Sequence, residues 1–331
     1  MTKYSFQHRP GSGGAFSAAS KPINDVSAIL SKLGFVIMFI TKDWRKNKIG
    51  RLLNRIHQLG ILLKLRLKLK PHDIVFIQYP LNFIYLKEFY QVLVKTGVNV
   101  YVLVHDIGLR YAGEDDWVKR FPPKASLIIV HSEAMRQVFI EHGFDGAKMK
   151  ILTSFDYLTN DKITRPRKRT KEVVFAGNLE KSQFLKRISA TGLGLTINCY
   201  GKQITNLSPG LTYKSVFTSE HVSVLEGSWG LVWDGDSVDT CAGMLGNYLK
   251  YNAPHKLSLY IVAHLPLIVW DQSAMAEYVR EKRIGICVSS LRDVSDRIDN
   301  MTDEEYNRIL ENVKRESEAL RNGEHLRKCL Q

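Results

Sequence analysis

The chain has 331 residues, 44% of them hydrophobic, which is enough to bury the cores of two domains of about 150 residues each and argues against disorder. No run reaches the ~20 consecutive apolar residues that span a bilayer, and the start MTKYSFQHRPGSGG lacks the apolar segment of a secretion signal. The net charge of +14 is concentrated early: residues 1–158 hold 23 Lys+Arg against 12 Asp+Glu, the rest 24 against 21, and no zinc finger or aromatic RNA-binding motif accompanies the excess. An anionic lipid surface or a diphosphate-linked acceptor therefore fits the basic half better than nucleic acid.

In the first half, Gly11-Ser12-Gly13-Gly14 precedes a helical pattern over Ile23–Leu33. Gly13 and Gly14 would let the backbone approach an acceptor sugar or phosphate, or they form a plain turn. Near-continuous apolar runs predict buried strands at Val36–Ile40, Asp73–Tyr79, Val98–Val104, Ser126–His131 and Lys150–Leu152. Helical patterns lie at Asn82–Thr96 and Glu133–His142, the latter stopped by Gly143. Lys42–Lys70 carries ten Lys/Arg and one acid, with Ile49, Leu52, Leu53, Ile56, Leu59 and Leu63 at helical spacing. A membrane-surface helix and a domain helix with a solvated basic face are both compatible with that pattern. His105-Asp106 follows the strand Val98–Val104, at the end where α/β sheets bind ligands. The pair is a candidate base and acceptor-orienting group; the alternative is that Asp106 caps the next turn.

Leu158–Lys171 is polar, basic and broken by Pro166, and reads as a linker (159–171) between domains 1–158 and 172–331. Beyond it the alternation resumes: strand Glu172–Ala176, helix near Glu180–Ser189, strand Leu195–Tyr200, helix near Ser219–Leu225 and strand Gly230–Trp233. Helix His255–Ala263, strand Leu267–Val269, helix Ala274–Arg283 and a charged helix Asp303–Arg321 follow. The last helix is a candidate to pack back on the first domain. The pattern predicts an α/β protein of two Rossmann-like domains facing a cleft. Cys199, Cys241, Cys287 and Cys329 lie at least 42 residues apart, which excludes zinc spacing and reads as reduced cytosolic thiols.

Three segments of the second half carry chemistry. Gly177 and Asn178 open the turn after the first strand, with Lys181 as a phosphate partner. Trp233-Asp234-Gly235-Asp236 holds an Asp-x-Asp pair, for which loop capping or sugar hydroxyl binding is favoured over a metal in a two-domain protein. In Pro254-His255-Lys256-Leu257-Ser258-Leu259-Tyr260, a lysine in the first turn of a helix opposes the macrodipole. An anion bound there would explain it.

Residues Gly230–Val238, Thr240–Gly243, Asn247–Asn252, Pro254–Lys256 and Ser258–Tyr260 resemble a bacterial glycosyltransferase family. The family includes the β-1,6-galactofuranosyltransferase of O-antigen synthesis and, more distantly, the glucosyltransferase that extends streptococcal serine-rich adhesins. Val104–Ile107 with Leu109-Arg110, Phe155–Leu158 and Ala176–Leu179 extend the resemblance over roughly residues 100–330. The family places a strand directly before the glycine region, and here His8-Arg9-Pro10 intervenes. The resemblance implies a GT-B fold, no obligatory metal, no cofactor beyond a UDP-sugar donor, and a homo-oligomeric state. It also implies donor contacts by Lys181, Tyr213 and Lys256, alongside Gly177, Asn178, Asp234 and Ser258.

The function expected is hexose transfer, galactofuranose favoured, from a UDP-hexose to a hydroxyl of a surface glycan, lipid-linked or protein-linked. Asp106, with His105, is the candidate base. The expected place is the cytoplasm, peripheral on the inner face of the plasma membrane. The alternatives are a glucosyltransferase acting on protein-linked N-acetylhexosamine and a catalytically silent GT-B partner subunit.

Overall fold

A computed structural model describes residues 1–7, 20–40, 47–108, 116–190, 192–202 and 208–331. Of these, residues up to His131 and Met135–Leu152 form one unit, and Ser132–Ala134 with Thr153–Gln331 form the other. Gly13, Gly14 and Arg110 lie outside the described residues.

The first unit is a six-stranded parallel sheet of β1 (Lys3–Gln7), β2 (Val36–Phe39), β3 (Ile74–Tyr79), β4 (Asn99–Val104), β5 (Leu127–Val130) and β6 (Met149–Ile151). The order β2-β1-β3-β4-β5-β6 is flavodoxin-like with a sixth strand added. Its helices are α1 (Ser20–Lys32), α2 (Lys48–Lys68), α3 (Leu86–Thr96), α4 (Asp116–Arg120) and α5 (Glu133–Glu141). Every residue of β3 is buried, which is why its apolar run was legible. β1 was not. It is a central strand, yet Lys-Tyr-Ser-Phe-Gln buries Ser5 and Gln7 among the apolar side chains. It ends at Gln7, so His8-Arg9-Pro10 separate this strand from the glycine region in the sequence.

The second unit holds β7 (Glu172–Ala176), β8 (Thr196–Tyr200), β9 (Leu211–Ser215), β10 (Trp229–Val232), β11 (Leu267–Trp270) and β12 (Gly285–Val288). All six run parallel in the order β12-β11-β10-β7-β8-β9, the 3-2-1-4-5-6 order of a Rossmann sheet counted from β7. The helices are α6 (Gly243–Tyr248), α7 (His255–Val262), α8 (Ala276–Lys282), α9 (Val294–Asp299), α10 (Asp303–Asn322) and α11 (Glu324–Leu330). One apolar core under α7, α8 and α10 includes Tyr260, Val279 and Leu320. A second, on the other face, includes Phe175, Trp229 and Trp233. Both faces of the sheet are thus covered, as a parallel sheet requires. The helices expected near Glu180–Ser189 and Ser219–Leu225 fold instead as short 3-10 turns, Gln183–Ala190 and Val222–Val224.

The segment expected to be a linker is packed on the second unit. The Arg167 guanidinium, in a residue only 7% exposed, donates to the carbonyls of Leu225, Gly227 and Ala263 at 2.8–3.0 Å. Arg165 pairs with Glu226 at 2.8 Å, Arg169 with Asp303 at 2.6 Å and Lys171 with Asp299 at 2.6 Å. The final helix is held within this unit as well: the amides of His325 and Leu326 donate to the Asp156 carboxylate at 3.1 and 2.8 Å. Burial pushes the Asp156 pKa up to about 6 against those bonds.

Candidate functional site

In a Rossmann sheet, ligands gather outside the C-terminal ends of the strands, where the strand order reverses. In the second unit that point lies between β7 and β10. Helix α7 is pinned above it by one aromatic ring. Tyr260 is fully buried, and its hydroxyl accepts the amide of Ala176, the last residue of β7, at 2.8 Å. On β10, a Cβ at Gly230 would fall 2.3 Å from the Tyr260 ring, so only glycine lets the helix come this close. Lys256 is one turn earlier on the same helix face and therefore falls beyond the strand ends.

The Lys256 ammonium is held there by three contacts. It donates to the Asp234 carboxylate at 3.0 Å and to the Trp233 carbonyl at 3.2 Å, both just past β10, and lies 4.7 Å from the centre of the Phe175 ring on β7. The side chains of Lys256 and Asp234 keep 14% and 24% exposure, so the pair is shielded yet reachable. The N-cap residue of α7, Pro254, offers no side-chain hydrogen bond to the helix start. The turn carrying Asp234 depends on Gly235, at φ +107°, where a Cβ would collide with the Ala242 carbonyl at 2.2 Å. Asp236 lies against Gly243 instead of joining Asp234 on a shared point. Among the described residues, no three His, Cys, Asp or Glu side chains gather into a metal-sized cluster.

The remaining donor-side candidates occupy different settings. The Gly177 carbonyl packs so tightly on Gly201 that a Cβ at Gly201 would sit 2.1 Å from it. Tyr213, on β9, donates its hydroxyl to the Gly201 carbonyl at 3.2 Å, which brings its phenol to the Gly177–Gly201 contact. Asn178 caps its own turn, its side chain accepting the Lys181 amide at 3.1 Å, and Lys181 is exposed. Ser258 stands apart: it is 1% exposed, donates to the Phe155 carbonyl at 2.6 Å and meets Ser154 at 3.0 Å. That is a place in the packing and not at an accessible strand end. The structure thus places Gly177 and Asp234 just past the C-terminal ends of the central strands β7 and β10, with Lys256 on Asp234, Tyr213 on Gly201 and Lys181 in the turn that Gly177 opens. Phe175 is the partner that sequence reasoning missed, because nothing local links it to a lysine 81 positions later. Asp271, just beyond β11, buries one carboxylate oxygen without a hydrogen-bond partner. The thiols of Cys199 and Cys241 are pushed up to about 12 by burial, which keeps them protonated.

In the first unit, a buried polar network marks the same strand ends. Gln78 of β3 accepts from His105 Nε2 at 2.8 Å and donates to Ser27 Oγ on α1 at 2.9 Å. Its amide also faces Gln7 of β1 at 3.2 Å. Since Ser27 donates onward to the Ile23 carbonyl, the amide nitrogen points to α1 and the amide oxygen to His105, which fixes the proton on His105 Nε2. Asp106 accepts the Gly108 amide at 2.9 Å and so does cap its turn, while staying half-exposed. Lys21 and Asp25, buried on α1, pair at 2.8 Å. Their signal in the sequence was an opposite-charge i,i+4 pair on an otherwise apolar face.

Residues 9–153 match the family model of the glucosyltransferase 3-like N-terminal domain, and residues 173–331 that of the glucosyltransferase 3-like C-terminal domain. The β-1,6-galactofuranosyltransferase WbbI of Escherichia coli K12 is 32% identical over 271 residues, covering 80% of this chain and 79% of that protein. Glucosyltransferase 3 of Streptococcus gordonii is 29% identical over 211 residues, covering 62% of this chain and 61% of that one. The apo lipopolysaccharide outer core galactosyltransferase WaaB shares the fold at a TM-score of 0.57 and 10% identity, over 99% of this chain and 98% of that chain. The fold is that of the GT-B glycosyltransferases.

Proposed function

The chain belongs to the glucosyltransferase 3-like family, and on that premise we propose that it transfers galactofuranose from its UDP-sugar to a hydroxyl of a bacterial surface glycan. The observation that carries the reading is Lys256, held at the order-reversal point of a Rossmann sheet. A donor diphosphate there meets the ammonium, the first-turn amides of α7 and, further along the strand ends, Tyr213 and Lys181. It outcompetes Asp234 for the lysine because it brings more negative charge, and the freed carboxylate is then available to sugar hydroxyls. As the sugar–oxygen bond to UDP breaks, negative charge grows on the leaving diphosphate and Lys256 stabilises it. The acceptor oxygen bonds to the anomeric carbon and its proton passes to Asp106, the base required if a β-product arises from an α-linked donor. With lysines as the diphosphate's counter-charge, the reaction needs neither a metal nor a cofactor beyond the donor.

The test is UDP release from UDP-galactofuranose, UDP-galactose, UDP-glucose and UDP-N-acetylglucosamine, with and without excess EDTA. UDP-galactofuranose should be fastest, and chelation should leave the rate unchanged. Loss of activity on chelation with recovery on adding manganese would make Asp234 and Asp236 metal ligands. The family description and the 29%-identical relative favour a second reading, glucosyl transfer, which a faster UDP-glucose rate would establish. Absence of UDP binding would instead favour a silent partner subunit.

A further inference from the structure

Helix α2 is apolar on two opposite faces. Its inward face, Ile61, Leu62 and Leu65 with Gln58 and Gly50, packs on the first unit. Ile49, Leu52, Ile56, Leu59, Leu63 and Leu67 all face outward, and several are largely uncovered: Leu52 and Ile56 at 57%, Leu63 at 52%, Leu67 at 87%. At about 100° per residue these six fall within an arc of about 90°, centred opposite the buried face. Lys48, Arg51, Arg55 and Arg66 line one shoulder of the stripe and Lys64 and Lys68 the other, and the helix contains no acid. Among the described residues, no helix is long and apolar enough to cross a membrane, and the cations along α2 keep it from doing so.

We propose that α2 is an interfacial helix that docks the first unit on an anionic lipid bilayer, its outer apolar stripe sunk among the acyl chains and its basic shoulders against the headgroups. Two features select this occupant. A continuous stripe of large aliphatic side chains is not left in water at no cost, so something apolar covers it. A second copy of the same face would bring basic shoulder against basic shoulder with no acid to offset them, whereas anionic headgroups supply the missing charge. The docking is independent of which sugar the protein transfers.

Co-sedimentation with phosphatidylglycerol-containing and pure phosphatidylcholine vesicles tests it. The wild type should bind the anionic vesicles, bind neutral ones far less, and release as salt screens the attraction. Leu52→Ser/Ile56→Ser/Leu59→Ser should lose more than about tenfold in binding. Arg51→Gln/Arg55→Gln/Lys64→Gln should lose on the order of a hundredfold at low salt. Both variants should melt as the wild type does, because the altered side chains lie outside the core. As an independent readout, Ile56→Trp should add a tryptophan signal that shifts to the blue on anionic vesicles and is quenched by brominated lipid. No binding of the wild type to anionic vesicles would overturn the proposal, as would an unshifted signal from the introduced tryptophan. So would an aliphatic variant that binds vesicles like the wild type while gel filtration shows it has lost self-association, which would assign the stripe to a second copy.

Discussion

Two stretches of the chain are rich in lysine and arginine, and they differ in the partners their side chains find. In Lys162–Lys171 of the second unit Arg167 is buried and donates to three backbone carbonyls, while Arg165, Arg169 and Lys171 pair at the surface with Glu226, Asp303 and Asp299. In α2 of the first unit, Lys48, Arg51, Arg55, Lys64, Arg66 and Lys68 are exposed, and the helix offers them no carboxylate. Composition alone makes the two stretches look alike. What separates them is whether carboxylates and helix-end carbonyls lie within reach of each cation, which only the fold decides. A cation paired within the fold is part of the architecture; one that the fold leaves without a carboxylate stays available to an outside partner.

The largest effect should come from the paired set. Arg167→Ala deletes three hydrogen bonds from a charged donor and orphans three carbonyls, and should cost on the order of 3 kcal/mol or more. Arg51→Ala on α2 should stay within about 0.5 kcal/mol. Urea unfolding reads both as midpoint shifts at constant slope, and equal losses would dissolve the contrast. Lys256 is the intermediate case, a cation that is paired in place yet reserved for a ligand. Lys256→Ala should weaken UDP binding roughly tenfold to a hundredfold while costing about 1 kcal/mol of stability or less. Calorimetric titration of a folded variant with unchanged UDP affinity would return Lys256 to the architectural class.

The smallest effect sharpens the paired class without removing a cation. His325 faces acceptors on both nitrogens, Glu316 at 2.8 Å and the Ser154 carbonyl at 3.2 Å. Burial opposes its charge, but the Glu316 hydrogen bond and charge outweigh burial and raise its pKa above the usual value. Glu316, also buried, is drawn down to about 2 by His325 and by Tyr278. The histidine's contribution is therefore complete below about pH 6.5 and lost as pH rises through its folded value. Asp156 slopes the same way, since its raised pKa of about 6 makes the charged form costly in the fold. The difference in melting temperature between the wild type and His325→Gln should accordingly shrink from mildly acid to alkaline pH. Parallel profiles would show that His325 carries no charge in the fold.

Most of the sheet was legible because parallel strands buried on both faces are near-continuous apolar runs, unbroken in β10 and β11 and interrupted in β3 only by Gln78. β1 hid because its buried Ser5 and Gln7 broke the run, and β9 because an edge strand alternates half-buried and exposed residues. The packing of 159–171 on the second unit was not legible, because its cations have partners about 60 and 130 positions away, beyond any local pattern. Lys256 was legible from its place behind Pro254 at a helix start. Its setting was not, since Asp234, Trp233 and Phe175 come from two other strands. Ser258 packs against Phe155 and Ser154 because, on a helix, a residue two positions on from Lys256 faces away from it.

The clasp between Asp156 and the start of α11 has a consequence for how the protein is made. The Asp156 carboxylate and the amides of His325 and Leu326 are 169 and 170 positions apart, and the Tyr157 amide donates across to Leu320. At a synthesis rate of about 5–20 residues per second, Asp156 leaves the ribosome roughly 10–35 s before its partners exist. During that interval the strands of the second unit appear one after another, and the apolar surface that Val313 and Leu320 later cover stays open. The nascent chain therefore passes through a long chaperone-accessible stage that closes only when α10 and α11 arrive, and slowing translation over the codons of those helices would prolong it.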